Sequence, residues 1–198
     1  MTAEPDSALH TDAARPSRRE QILQAAARLF AERGSRSVGV DDVGAAVGVT
    51  GPAIYRHFAS KDAMLAEMLL RISERLLAGA DQVVADAGED PAAQLAALVA
   101  FQVDFALDNP ALITVQDRDL GALSDDDARQ VRRLQRRYVE RWVAVLAALH
   151  PQASTADCRA RAHALFGLIN STPHSAGRLS RSAMAALLTA MATTAATA

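Results

Sequence analysis

Thr50, Gly51, Tyr55, Arg56 and His57 bring a hydroxyl, an uncrowded backbone, a phenol, a guanidinium and an imidazole into eight consecutive positions. Their common chemistry is recognition by hydrogen bonding rather than bond-breaking. The stretch that would present them runs from Val40 to Phe58 and reads as two short helices joined by a tight turn. Val43 and Val47, four apart, give the first helix an inward face. Gly48 can adopt a positive φ and end it. Thr50 can cap the next helix, and Pro52 suits its first turn. Ile54 and Phe58, again four apart, turn inward with Val49. The pattern predicts a helix-turn-helix whose second helix is short enough to lie in a DNA major groove.

Charge is distributed to match. The chain of 198 residues carries a formal charge of -2, yet residues 15–61 hold seven Arg and one Lys against four acids, a local excess of +4. Residues 62–198 come to -3, with 13 Arg against 16 acids. Positive charge concentrates around the helix-turn-helix, as phosphate binding requires.

Catalysis finds no support. No two of the five histidines stand three or four apart, no G-x-S-x-G occurs, and Gly44, Gly48 and Gly51 lack the Lys-Ser/Thr of a P-loop. The chain is therefore expected not to be an enzyme, with no catalytic residues, no metal site and no cofactor. Cys158 is the only cysteine, so no internal disulfide forms and a reduced, cytoplasmic compartment is expected. The N-terminus has no apolar signal region, and no apolar run approaches the roughly 18 residues of a membrane span.

The elements that would position these residues are all helical. Half the residues are hydrophobic but only 4% aromatic, which is the composition of closely packed Ala/Leu/Val helices. Residues 1–16 read as a disordered tail. Ser17 and Glu20 form a capping box ahead of Ile22, Ala26, Leu29 and Phe30, and Gly34 ends that first helix. After the helix-turn-helix, Ser60 caps a fourth helix that is expected to fray between Gly79 and Gly88. Pro91 opens a fifth, with Leu95, Leu98, Val99, Gln102 and Phe105 on its stripe, ending at Asn109-Pro110. A sixth spans about Pro110 to Leu120, and Ser124 caps a seventh that stops before Pro151. Thr155 is expected to cap an eighth, through about Thr172, and Ser180 a ninth. The expectation is an all-α chain of about nine helices: a tail at 1–16, a helix-turn-helix domain at 17–60, and a ligand-binding and dimerisation domain at 61–198.

The run Gly48-Val49-Thr50-x-x-x-Ile54-Tyr55-x-His57-Phe58-x-x-Lys61-x-x-x-Leu65, set after a helix ending at Gly34, resembles the TetR family of bacterial transcriptional regulators. The motif covers about a quarter of the chain; the rest agrees in helix pattern. The resemblance implies a homodimeric, ligand-responsive repressor that binds a pseudo-palindromic double-stranded DNA operator and is released by a small-molecule effector. It puts Tyr55, His57 and Lys61 at phosphate-holding positions and Thr50, Gly51 and Pro52 at the helix end that meets base edges, with Arg56 reading a guanine or holding another phosphate. Gly39 departs from the pattern, standing where a capping Ser or Thr is common. A ligand-independent architectural DNA-binding protein is the alternative, and the long segment after Ala87 argues against it.

By the same resemblance, helices four to seven would enclose an effector pocket and the last two would form the dimer interface. Phe101, Phe105, Gln116, Tyr138 and Trp142 are the pocket candidates, although the aromatic ones would equally fill a core. Leu165, Leu168, Ile169, Ala183, Leu187 and Met191 are the interface candidates, on faces that would equally serve an intramolecular core. Asp117, Arg118 and Asp119 either join the pocket or form inter-helix pairs. Arg132, Arg133, Arg136 and Arg137 either pair with Asp125 to Asp127 or Glu140, or anchor the phosphates of a ligand. Together with Gln116 to Asp119, Tyr138 and Trp142 they loosely resemble lipid-catabolism regulators that answer to acyl-CoA.

Overall fold

The computed structural model describes residues 17–175 and 179–198, so the tail expected over 1–16 lies outside the described residues. Among the described residues every regular element is helical. The N-terminal unit is α1 (Arg18–Arg33), α2 (Val40–Ala46) and α3 (Gly51–Tyr55). There follow α4 (Lys61–Asp86), α5 (Pro91–Asp108), α6 (Pro110–Asp119), α7 (Asp125–Leu149), α8 (Thr155–Ile169), the single turn α9 (Thr172–Ser175) and α10 (Arg181–Thr197). The expected all-α architecture is what forms, with α9 as an added element.

Most helix starts follow from their caps. Ser17 accepts from the Glu20 N–H while the Glu20 carboxylate accepts from the Ser17 N–H at 2.6 Å. Ser60, Ser124 and Ser180 each accept from the N–H three residues on. Two starts differ from expectation. Ser154, not Thr155, caps α8, because Asp157 then closes the box on it. Thr50 holds the N-cap position of α3, but its side chain makes no capping bond.

The fourth helix also differs: it does not fray at Gly79. It continues to Asp86, because Gly79 is a packing notch on which α5 rests. A β-carbon there would lie 2.2 Å from Phe101 Cζ.

Two cores share this helix. The N-terminal core joins Ile22, Phe30, Val43, Ile54 and Phe58 to Met64, Leu65, Met68 and Leu69 of α4, and takes in Val115 of α6 and Val131 of α7. From Ile72 onward α4 belongs to the larger core of α5, α7, α8 and α10. The expected division at Ser60-Lys61 thus marks where α4 starts, whereas the head's packing runs two turns beyond it. A second tie comes from the end of α6. Asp119 is buried and accepts from the Ser35 hydroxyl at 2.9 Å. Arg118 donates to the Phe30 carbonyl and, at 3.2 Å, to that of Ala31, both in the last turn of α1, and pairs with Asp119 at 3.0 Å. Among the described residues no single helix is long and apolar enough to cross a membrane.

The notch at Gly79 gives a direct check on the α4–α5 contact. Gly79→Val forces two methyls into the space of the Phe101 ring and is expected to cost about 1–3 kcal/mol despite its better helix propensity. Thermal unfolding followed by circular dichroism should show the loss, and Phe101→Ala in the same chain should recover part of it.

Candidate nucleic-acid interface and internal cavity

The helix-turn-helix is held by the N-terminal turn of α1. Arg18 Nη2 donates to the Val47 carbonyl at 2.6 Å, closing the end of α2. Arg19 donates to the His57 carbonyl just past α3, pairs with Glu67 of α4, and places its guanidinium 4.2 Å from the centre of the Phe58 ring. Its bond to the Glu67 carboxylate raises the Arg19 pKa further above its ordinary value. Neither arginine stands out in the sequence, because a basic pair within the first turn of a capped helix reads as a solvated one.

The turn itself depends on two glycines. Gly48 takes φ 71°, which the tight reversal after α2 requires. Gly51 is buried with Asp41 against it, and a β-carbon there would meet Asp41 Oδ1 at 1.9 Å. Gly51 was expected on the outward face; it sits inside the turn, since the Asp41 carboxylate occupies the space above it. Asp42 accepts from the Gly39 N–H at 2.7 Å, which satisfies the helix start where a capping Ser or Thr was absent.

Outward from this frame point Thr50, Pro52, Tyr55 and Arg56, all exposed, with Tyr55 at 57%. His57 is half-buried. Lys61 is half-buried too, with Nζ 3.4 Å from the Arg36 carbonyl. Ile54 and Phe58 are buried behind them, as their spacing requires.

A cavity of about 360 Å³ lies in the larger unit, lined from α4, α5, α6, α7 and α8. Three expected residues, Phe105, Gln116 and Tyr138, line it. Phe101 and Trp142 do not. Phe101 is spent on the Gly79 notch, and Trp142 is fully buried behind the wall, 5.1 Å ring to ring from Phe166 and 6.5 Å from Tyr138. Among the described residues the buried indole N–H has no hydrogen-bond partner. The wall adds Gln102, His163, Phe166 and Asn170, with Tyr138 and Phe166 stacked at 5.5 Å. Tyr138 donates to Gln102 Oε1 at 2.5 Å, and Gln102 Nε2 donates to Asn170 Oδ1 at 2.8 Å. Burial pushes the Tyr138 phenol well above its usual pKa. Asp117 stands at the solvent side, and partial desolvation raises its carboxyl. Gln102 had a readable signal: a glutamine on the apolar stripe between Val99 and Phe105.

The remaining candidates divide. Gln116 and Asp117 face the cavity, while Arg118 grips the last turn of α1 and Asp119 the Ser35 hydroxyl just beyond it. Arg132, Arg133, Arg136 and Arg137 are exposed and form no ion pair among the described residues. Of the acids expected to neutralise them, Asp126 pairs with Arg129 and Glu140 with Arg159. Leu165 and Ile169 are core residues, 2% and 0% exposed, because the face of α8 carrying Cys158, Ala162, Leu165 and Ile169 packs inward. They have no surface left for a second copy. Leu168 is half-buried, and Ala183, Leu187 and Met191 are exposed on α10.

Sequence comparison agrees with this arrangement. Residues 22–68 match the family described as bacterial regulatory proteins, tetR family, and residues 88–196 match the tetracyclin repressor-like C-terminal domain. The chain belongs to the TetR family. Among curated relatives, the chain is 34% identical over 133 residues to the HTH-type transcriptional repressor KstR2 of Rhodococcus jostii (strain RHA1), covering 66% of this chain and 64% of that one. It is 34% identical over 116 residues to the nucleoid occlusion factor SlmA of Marinobacter nauticus (strain ATCC 700491 / DSM 11845 / VT8), covering 59% of each. The chain thus spans less than two thirds of these relatives' own length. The TetR fold is shared with the ketosteroid transcriptional regulator KstR2 of Mycobacterium tuberculosis, at a TM-score of 0.76 and 22% identity over 91% of this chain and 95% of that one.

The buried relay makes a measurable claim about this TetR-family cavity. Tyr138→Phe and Gln102→Leu are each expected to destabilise the protein by about 1–3 kcal/mol, since each strands a polar partner. The double variant should lose less than the sum, by denaturant unfolding.

Proposed function

We propose that this TetR-family regulator is a repressor that binds a pseudo-palindromic operator as a homodimer and leaves it when a small apolar or acyl-CoA-type ligand enters the cavity. The observation that carries the reading is the row Thr50, Pro52, Tyr55 and Arg56, exposed along α3, with Arg18 closing the end of α2 before the turn and Arg19 holding the His57 carbonyl just past α3. Side chains held in this way are preorganised for a groove.

Tyr55, His57 and Lys61 would donate to phosphates, with Lys61 at the positive end of α4. Thr50 and Pro52 would meet base edges at the start of α3, and Arg56 would reach a guanine or a further phosphate. Gly51 would act from beneath, by letting Asp41 hold the turn. The exposed face of α10, with Ala183, Leu187 and Met191, and Leu168 of α8 would cover the same faces of a second copy.

Coupling between cavity and head would run through two helices. α4 carries Ser73 and Leu76 at the cavity and Lys61 at the head. α6 carries Gln116 at the cavity and, two residues on, Arg118 and Asp119, which hold the last turn of α1 and Ser35 just beyond it. A ligand that moves either helix would change the placement of α3, by no more than its differential affinity for the two states. Arg132 supports the acyl-CoA form of this reading. It lies one turn before Gln135 on the face that continues to Val139, both at the cavity, and is free to meet a phosphate outside. A ligand-independent architectural role is the alternative, and a cavity with a built polar relay speaks against it.

Genomic fragments captured by the pure protein, followed by a metabolite screen for release of the best fragment, test this reading. Acyl-CoAs belong first in that screen; release by no compound would favour the architectural alternative. On the captured operator, Lys61→Ala is expected to weaken binding at every sequence and reduce the slope of log affinity against log salt by about one. Tyr55→Ala should weaken it with the slope retained, because a phenol displaces no counterion. Unchanged affinity in both variants would remove α3 from the interface.

A further inference from the structure

The lining of the cavity states what kind of group it can bury. Its body is apolar, with Leu76, Phe105, Ile113, Val139 and Phe166 on the wall. No Lys or Arg is among the lining residues. Its one carboxylate, Asp117, is already raised by desolvation and would repel a second negative charge. A ligand carboxylate or phosphate entering here would be desolvated with no cation to receive it, which is costly. His163 is the only lining side chain able to carry positive charge, and it is exposed.

The relay at the other side has a definite unused capacity. Gln102, 2% exposed, accepts from Tyr138 through Oε1 and gives one Nε2 hydrogen to Asn170 Oδ1. That leaves the second Nε2 hydrogen of Gln102 and both Nδ2 hydrogens of Asn170, which make no hydrogen bond among the described residues. Each of the two amide oxygens already accepts one hydrogen bond, whereas three amide hydrogens are unused, so donors outnumber the acceptor sites left over. A volume near 360 Å³ is at the small end of ligand sites, which favours a compact body.

Resting on the reading of this cavity as the effector site, we infer that it takes the uncharged, compact body of a ligand whose oxygen acceptor, a ketone, ester or thioester carbonyl, docks on the free amide hydrogens of Asn170 and Gln102. Free carboxylates are excluded. Any phosphate that such a ligand carries stays outside the cavity.

Trp142 is the sole tryptophan, in contact with the Phe166 wall, so its fluorescence reports occupancy. Two matched pairs serve as probes on the full chain: 4-cyclohexylcyclohexanone against 4-cyclohexylcyclohexanecarboxylate, and 2-decalone against decalin-2-carboxylate. Each ketone is expected to bind saturably and at least tenfold tighter than its carboxylate, in the wild type and in His163→Gln. Asn170→Asp keeps an acceptor for Gln102 and removes the Nδ2 donors; it should weaken ketone binding at least tenfold. Asn170→Ala, checked for an unchanged melting curve, should do the same if the aspartate variant does not fold. Carboxylates binding as tightly as ketones, or Asn170 variants that keep full ketone affinity, would overturn the ligand class while leaving the cavity a ligand site. No saturable response to any probe would overturn both.

Discussion

Two adjacent side chains at the end of α6 make one body of what could have been two. Asp119 is buried against the Ser35 hydroxyl and Arg118 holds carbonyls of the last turn of α1, so α6 cannot rotate or slide without disturbing the helix that carries the head. A buried carboxylate of this kind is strongly constrained. Removing its partners strands a desolvated charge, so the contact favours one geometry over nearby ones. The same ten-residue helix lines the cavity with Ile113 and Gln116. The head is anchored again at the opposite end of α1, where Arg18 and Arg19 reach α2, α3 and α4. α1 is thus gripped at its C-terminus by the cavity's helix and itself holds the end of α2 and the end of α3 at its N-terminus.

Electrostatics divide the labour along the same line. Arginines with no acidic partner lie outside, on the head and on the exposed side of α7, while the cavity has amides, a phenol and aromatic rings instead. The exposed cations suit a polyanion in high dielectric, where attraction is long-ranged and weakened by salt. The cavity suits discrimination, because a buried donor left unmatched by the wrong ligand is costly.

Legibility in the sequence followed the range of the interactions. The capping box at Ser17, the turn at Gly48 and the buried pair Ile54 and Phe58 are set by residues within a few positions of each other, and the alphabet of caps and spacings captures them. Contacts made across the chain were not legible. Gly79 reads as a helix breaker until Phe101 is placed against it, and Leu165 and Ile169 have the same periodicity whether they face α7 or a second copy. Trp142 illustrates the difference between finding a cavity's neighbourhood and finding its surface: the indole backs the wall that Tyr138 and Phe166 form. Gln102 and Asn170, 68 positions apart, become a pair only in the fold.

The central claim is that cavity and head are energetically one system, and linkage makes it testable from either side. If a cavity ligand weakens operator binding by some factor, operator must weaken ligand binding by the same factor. The measurement is a Trp142 fluorescence titration of the released ligand, with and without saturating operator, in the wild type and in Arg118→Met. The account predicts equal factors in the wild type and a factor falling toward one in Arg118→Met. Ligand affinity indifferent to operator in the wild type, or undiminished coupling in Arg118→Met, would contradict it.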